Sequence, residues 1–421
     1  MARRLDFIAI KGKRVFVEGM GCALSQADAK GLANALRDAG LNLVKGVEDA
    51  DVVIINGCAV REASDRKLYS SVRKLRDMGK DVIVTGCSAE VYPSIGRSGG
   101  AFILPLRERR LFLESLGKGL SDDLSELSEL LPPPPGGPVY TVPIGTGCGG
   151  NCSFCATKLA RGTIVSYPPR TILRLIKESV EKGAVEIDLT AVEINSWGKD
   201  LGLRFPELLR AIVDIPGDFR VRVGMLNPRG LLDWIDELLQ AFRSEKVFKF
   251  FHVPVQSFSD SILKMMRRGY TSSEVFEIFS EIKRSFPEAS LHTDVIVGFP
   301  GETDSDFALT ESALRKIKFD KVNVARYSPR PMTEAAAWTQ IPDSVKKTRS
   351  DRLSALWKDV ALEINRAYLG KEVEVLVTQG GNTQVARTEN YKQVLLRQNA
   401  LPGQRLKAKI ANVTPIDLRA F

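Results

Sequence analysis

Gly145-Thr-Gly-Cys148-Gly-Gly-Asn-Cys152-Ser-Phe-Cys155-Ala-Thr-Lys-Leu-Ala-Arg161 is the stretch from which the rest of the chain can be read. It sets three cysteines on one short loop, spaced Cys-x3-Cys-x2-Cys. Three thiolates so placed can hold three irons of a cubane iron–sulfur cluster and leave the fourth iron open to a small molecule. A structural zinc site usually completes four ligands at pairwise spacings, and the nearest histidine, His252, is far along the chain. Three unrelated packed thiols are the other alternative.

Working outward, the chain has 421 residues, 44% of them hydrophobic and 26% charged, which is enough for two or three domains with real cores. The start, Met-Ala-Arg-Arg-Leu-Asp, has no apolar signal core, and no uninterrupted apolar run is long enough to span a bilayer. A cytoplasmic protein with reduced thiols and no membrane contact is expected. The six cysteines then fall into two sets of three, 22/58/87 and 148/152/155, each one short of a four-cysteine site. The net charge of +9 suits a polyanion but specifies none.

Upstream of the loop, over residues 1–120, one unit recurs three times. Runs at Arg14-Val-Phe-Val, Asp51-Val-Val-Ile-Ile55 and Asp81-Val-Ile-Val-Thr85 each lead to a glycine and a cysteine: Gly21-Cys22, Gly57-Cys58 and Gly86-Cys87. Helical patterns follow the first two, at Ser25–Ala39 and Glu62–Met78. Such alternation predicts an open parallel sheet with all three cysteines at the carboxyl ends of neighbouring strands, where α/β sheets place ligands. Distant in sequence, they are expected to converge in space. Simple packing of small buried cysteines is the bland reading.

A Pro/Gly-rich linker is expected over 121–138, with Leu131-Pro-Pro-Pro-Pro-Gly-Gly-Pro138 as a semi-rigid spacer. Residues 139–360 then show six β-rich runs, at Tyr140–Ile144, Val185–Leu189, Phe219–Val223, Val247–Val253, His292–Val297 and Lys321–Arg326. Helical stretches separate them, including Arg170–Lys182, Leu231–Arg243, Ser272–Arg284 and Asp304–Lys316. Six strand–helix units in series predict a partial (β/α) barrel. His252 reads as a satisfied core histidine. Residues 361–421 carry short alternating runs around Gly380-Gly-Asn and Leu401-Pro-Gly, which predict a small β-barrel. Its Lys371, Arg387, Lys392, Arg397, Arg405, Lys407 and Lys409 suit a phosphate backbone, with Tyr391 as the one stacking platform. A merely solvated basic face is the alternative.

The cluster loop, with Phe154 directly before its third cysteine, resembles that of radical S-adenosylmethionine (SAM) enzymes, and the whole chain resembles the radical SAM methylthiotransferases. The matching segments include Asn56-Gly57-Cys58-Ala-Val-Arg-Glu-Ala63, Gly86-Cys87-Ser-Ala, Asn227-Pro228, His252-Val-Pro-Val-Gln-Ser257, Thr293-Asp-Val-Ile-Val-Gly-Phe-Pro-Gly-Glu302 and Tyr327-Ser-Pro-Arg-Pro-Met-Thr333. Ser25, Val192 and Phe258 depart from residues common in that family. The tail resembles the TRAM domain. The fold implied is α/β, with an N-terminal open parallel-sheet domain, a central partial barrel of radical SAM type and a small TRAM-like C-terminal β-barrel.

The resemblance implies replacement of an unactivated C–H by C–S–CH3, using SAM and two 4Fe-4S clusters. Cys148, Cys152 and Cys155 are expected to hold the cluster that cleaves SAM, and Cys22, Cys58 and Cys87 a second one that carries the sulfur. Phe154, Thr190, Glu193, Gln256, Ser257 and Asp294 are the residues expected around SAM. The segment Ala156-Thr-Lys158-Leu-Ala-Arg161-Gly with Ser166-Tyr-Pro resembles the archaeal and eukaryotic branch that modifies N6-threonylcarbamoyladenosine at position 37 of tRNA. Lys158 and Arg161 are placed to meet its carboxylate or a phosphate, and Arg330, Lys392, Arg405 and Lys407 to meet RNA. No side chain is assigned as a general acid or base. A monomer is expected, with tRNA as partner, a ferredoxin or flavodoxin as electron donor and an unidentified sulfur donor. Sulfur insertion into another RNA base or a protein side chain, and a zinc-containing RNA-binding protein, are the alternatives.

Overall fold

The computed structural model describes residues 10–60, 62–117, 131–134, 136–381, 383–397 and 399–420. Most of the expected linker lies outside them. The first domain is a parallel sheet of β1 (Arg14–Gly19), β2 (Asn42–Leu43), β3 (Val52–Gly57), β4 (Asp81–Gly86) and β5 (Phe102–Ile103), in the order β2-β1-β3-β4-β5. Val52 to Ile55 are all buried, as befits a central strand covered on both faces. Helix Ala23–Asp38 and helix Glu62–Asp77 supply crossovers. The pairing of Gly19 with Asn56, and of Gly57 with Gly86, brings the ends of β1, β3 and β4 level.

In the central domain β6 (Val139–Pro143), β9 (Glu186–Thr190) and β10 (Arg220–Val223) form one parallel sheet, and β11 (Phe250–His252), β12 (Ser290–Val297) and β13 (Lys321–Arg326) another. Parallel bridges Val221–Val247 and Met225–His252 join them into one six-stranded open barrel. The order β6-β9-β10-β11-β12-β13 follows the chain. Each strand returns through an outer helix: Pro169–Glu181, Phe205–Val213, Ile235–Ala241, Ser272–Ser285, Asp304–Ile317 and Asp343–Arg366. Between β6 and β9 a two-stranded ribbon, β7 (Gly145–Thr146) with β8 (Val165–Ser166), brackets the cluster loop.

Strand alternation separates two faces of this barrel. Leu291, Thr293, Val295 and Val297 of β12 are buried, the valines and leucine in the core under the helices, while His292, Asp294 and Ile296 share the opposite, concave side. The expected strand Val247–Val253 shortens to β11 because the backbone bends at Phe248. Its N–H donates to Val221 O, and its carbonyl accepts from Phe250 N.

The tail closes as β14 (Glu372–Gln379), β15 (Gln384–Arg387), β16 (Gln393–Leu396), β18 (Leu418–Ala420) and β17 (Arg405–Val413), in that barrel order. It sits at the amino-terminal mouth of the central barrel. Tyr391 OH donates to Glu186 Oε1 at 2.6 Å, Asn390 Nδ2 to Glu288 O at 2.6 Å and Arg405 Nη2 to Asp218 Oδ1 at 2.5 Å, while Lys392 pairs with Asp320. Each partner lies at or just before the start of β9, β12, β10 or β13.

Candidate active site

The ribbon β7–β8 forces a close approach where the loop leaves it. Gly147 has φ +75°, and a Cβ there would lie 1.8 Å from Thr163 O, so only glycine fits. Cys148 N donates to Gly162 O at 3.2 Å and Cys155 N to Cys152 O at 3.3 Å, which folds the loop back on itself. Helix Ala156–Arg161 begins immediately after Cys155. Below the loop, Ser153 N donates to Met266 O, Ser153 Oγ to Met265 O and Ala335 N to Ser153 O. Phe154 packs edge-on to Phe299, with Ile262, Met266 and Tyr327 alongside.

Two thiols of this loop, Cys148 and Cys152, flank the backbone of Gly150. A Cβ added to Gly150 would stand 3.3 Å from Cys148 Sγ and 3.6 Å from Cys152 Sγ, so glycine keeps a cradle between two sulfurs. Burial first, and the nearby Glu193 carboxylate second, push the Cys148 thiol up to about 12. Such thiols stay protonated until iron displaces the proton.

Cys58 and Cys87 directly follow the ends of β3 and β4, and Cys22 lies three residues past the end of β1, all just beyond the strand ends as expected. Gly21 (φ +104°) would place a Cβ 2.8 Å from Cys58 Sγ, so the first and second cysteine turns touch. Burial raises Cys58 and Cys87, each feeling the charge of Cys22. Cys22 caps the 16-residue helix Ala23–Asp38, whose positive end favours an anionic group. Among the described residues no three His, Cys, Asp or Glu converge as ligands of a single ion do. A cubane takes one thiolate per iron, so its ligand sulfurs need not converge on one point.

A guanidinium lies on one sulfur of each set. Arg268 Nη1 donates to Cys152 Sγ at 3.3 Å, with Nε on Tyr270 OH at 2.7 Å and Nη2 on Pro254 O at 3.1 Å. Arg161 Nε donates to Cys87 Sγ at 3.2 Å, Nη1 to Thr146 Oγ1 at 3.2 Å and Nη2 to Asp28 Oδ2 at 2.5 Å. The helix Cys87–Val91, which starts at one third cysteine, and the helix Ala156–Arg161, which follows the other, pack through Cys87, Val91, Ala156 and Ala160, with Ala59 alongside. The two sites therefore face each other across the domain junction.

Several expectations need correction. Arg161, with 4% of its side chain exposed, is spent on Cys87, Asp28 and Thr146 and is not presented to RNA. Arg330, 7% exposed, is a clamp between domains: it pairs with Asp65 and donates to Tyr92 OH at 2.6 Å and Val60 O at 3.1 Å. A cavity of about 430 Å3 opens beside it, lined also by Tyr327 and Lys346. Lys392 is buried on Asp320 and Asn365. Tyr391 is no exposed stacking platform, because it packs on Phe248 and Phe250. Arg405 docks the tail on Asp218, and Ser257, 1% exposed, accepts from Ser259 N inside its own turn. Only Lys407 of the three tail residues keeps an exposed side chain, partnered by Glu372 at 3.5 Å.

The other expected residues line the carboxyl end of the barrel. Thr190 ends β9. Glu193, buried, lies between Arg229 Nη2 at 3.3 Å and Cys148 Sγ at 3.4 Å. Gln256 takes φ +75° and bridges to Val295. Asp294 accepts from Asn323 Nδ2 at 2.6 Å and meets His252 Nε2 at 3.1 Å, so His252 is satisfied as expected. Lys158 Nζ caps Cys148 O at 2.6 Å and braces the loop. Sequence reasoning missed Arg229, the second cation on this rim, and did not foresee that Arg268 would reach a ligand sulfur.

Three family models match in order: Uncharacterized protein family UPF0004 over residues 14–97, the Radical SAM superfamily over 142–313 and the TRAM domain over 366–420. A "probable threonylcarbamoyladenosine tRNA methylthiotransferase" of Pyrococcus horikoshii is 39% identical over 416 residues, 95% of this chain and 97% of its own. The threonylcarbamoyladenosine tRNA methylthiotransferase of Danio rerio is 31% identical, over 91% of this chain and 73% of its own. Among solved structures, the radical SAM methyltransferase TsrM of Kitasatospora setae, with cobalamin and a 4Fe-4S cluster bound, aligns with TM-score 0.56 at 14% identity. That match covers 77% of this chain and 76% of the other, and it is a likeness of fold.

Proposed function

Because the chain belongs to the threonylcarbamoyladenosine tRNA methylthiotransferases, a family of radical SAM enzymes, we propose that it replaces the C2 hydrogen of N6-threonylcarbamoyladenosine in tRNA by a methylthio group. The observation that carries this reading is the juxtaposition of two three-cysteine sites through Arg161 and the helices Cys87–Val91 and Ala156–Arg161. Membership of the radical SAM superfamily brings SAM and one 4Fe-4S cluster; the second cluster is part of the proposal. Bound groups of this kind supply one-electron cleavage of SAM at one site and a sulfur for insertion at the other.

The chain's own residues divide the remaining work. Cys148, Cys152 and Cys155 hold one cluster on the rim of the barrel, where Glu193 and Gln256 offer polar groups to SAM. Cys22, Cys58 and Cys87 hold the other from the facing sheet. Adenine C2 carries no acidic proton, so the reaction calls for no general base. A base paired or stacked in tRNA cannot reach between the sites, so it must be extruded, with the cavity beside Arg330 available to a neighbouring nucleotide. Exposed Lys371, Lys407 and Lys409 on the tail offer sequence-independent phosphate contacts. An external one-electron donor and a sulfur source complete the cycle.

The test is mass spectrometry of tRNA nucleosides from cells with and without this gene. Loss of the 2-methylthio derivative, with threonylcarbamoyladenosine retained, is the expected result. An unchanged nucleoside profile in cells with no redundant enzyme overturns the tRNA assignment.

A further inference from the structure

Arg161 stands on the helix that leaves the loop of Cys148, Cys152 and Cys155, yet its guanidinium reaches the other site. Its three nitrogens have three different partners: Cys87 Sγ at 3.2 Å, Asp28 Oδ2 at 2.5 Å in the helix capped by Cys22, and Thr146 Oγ1 at 3.2 Å in the strand that enters its own loop. Asp28 is itself nearly buried, with 14% of its side chain exposed. A buried arginine is costly unless every N–H is used and its charge is balanced. Here one carboxylate balances it, and the sulfur takes a hydrogen bond from a cation.

We infer that Arg161 is a positioning residue for the second cluster, donating a hydrogen bond to its Cys87 ligand while fixing the distance between the two cysteine sites. The inference rests on the reading of Cys22, Cys58 and Cys87 as cluster ligands. A hydrogen bond to a ligand sulfur stabilises the more negative, reduced form of a cluster and so raises its potential. The fork geometry adds a mechanical link. A lysine keeps the charge but cannot serve three partners lying in different directions. Arg268 does the same for Cys152 from within the central domain. Arg161 differs because it crosses the junction.

The test uses the full-length chain carrying Cys148→Ala, Cys152→Ala and Cys155→Ala, so that iron and sulfide reconstituted without oxygen enter only the second site. In that background Arg161, Arg161→Lys and Arg161→Met are compared by iron content and by potentiometric titration followed by electron paramagnetic resonance. The expected result is a lower midpoint potential for Arg161→Met and a smaller drop for Arg161→Lys. Equal potentials in all three proteins overturn the inference. Should Arg161→Met fail to hold iron, Arg161→Lys decides: a lowered potential supports the bond to sulfur, and an unchanged one contradicts it. Absence of iron from the Arg161 parent itself overturns the cluster reading and the inference together, and is told apart by that control.

Discussion

At Gly21 a single hydrogen atom decides whether the second site can form. With φ +104° and a Cβ that would stand 2.3 Å from Cys58 Cβ, alanine there must push the Cys58 turn aside. Gly21→Ala is therefore expected to lower the iron held by Cys22, Cys58 and Cys87 while SAM cleavage continues, as iron analysis and assay of 5′-deoxyadenosine would show. The placing of Cys22, Cys58 and Cys87 just past the ends of three neighbouring strands was legible in the sequence because each follows a β-rich run and a glycine. Arg161 was misjudged for the opposite reason: a cation's role depends on what lies opposite it. Asp28 is 133 positions from Arg161, and no local pattern pairs them. Phe258, a departure from the family's usual residue, is core filling, packed against Phe276 and Phe319.

Elements meet through a few buried polar contacts, and these are where domain docking can be tested. Arg330→Ala removes the buried guanidinium shared by Asp65, Tyr92 OH and Val60 O, a change expected to cost about 1.5 to 3 kcal/mol. Denaturant unfolding should show it as an early loss of the first domain, with methylthiolation falling more than SAM cleavage. At the other end of the barrel, burial and the adjacent Asp188 raise the Glu186 carboxyl to about 7. Its folded value lies above the unfolded one, so the stability it contributes is complete below about 4.5 and is lost as pH rises through about 7. Glu186→Gln should flatten the pH dependence of thermal unfolding across that window. The strand–helix units were legible because their periods and lengths are strong. The docking of Tyr391 on Glu186 was not, since Tyr391 in sequence looks like any aromatic beside a lysine.

Across the whole molecule the cysteine sites and the tail lie at opposite mouths of the central barrel. In the proposed reading the tail therefore meets RNA at a distance from the reacting base and does not border it, an arrangement that no stretch of sequence announces. Reversing Lys371, Lys407 and Lys409 to glutamate should weaken tRNA binding and reduce its salt dependence, the log–log slope shrinking by somewhat under ~1 for each phosphate left without its lysine. Binding measured at several salt concentrations checks this, and SAM cleavage without tRNA should be unaffected. The central claim is that two cysteine triads on separate domains hold two clusters with different duties. It is tested most directly by measuring iron together with 5′-deoxyadenosine in two variants: Cys148, Cys152 and Cys155 all changed to Ala, and Cys22, Cys58 and Cys87 all changed to Ala. Each variant should hold about half the iron of the intact protein, by the one-cubane-per-triad ligand count, and only the second should still cleave SAM. Full iron content in the second variant, or SAM cleavage by the first, would contradict the account.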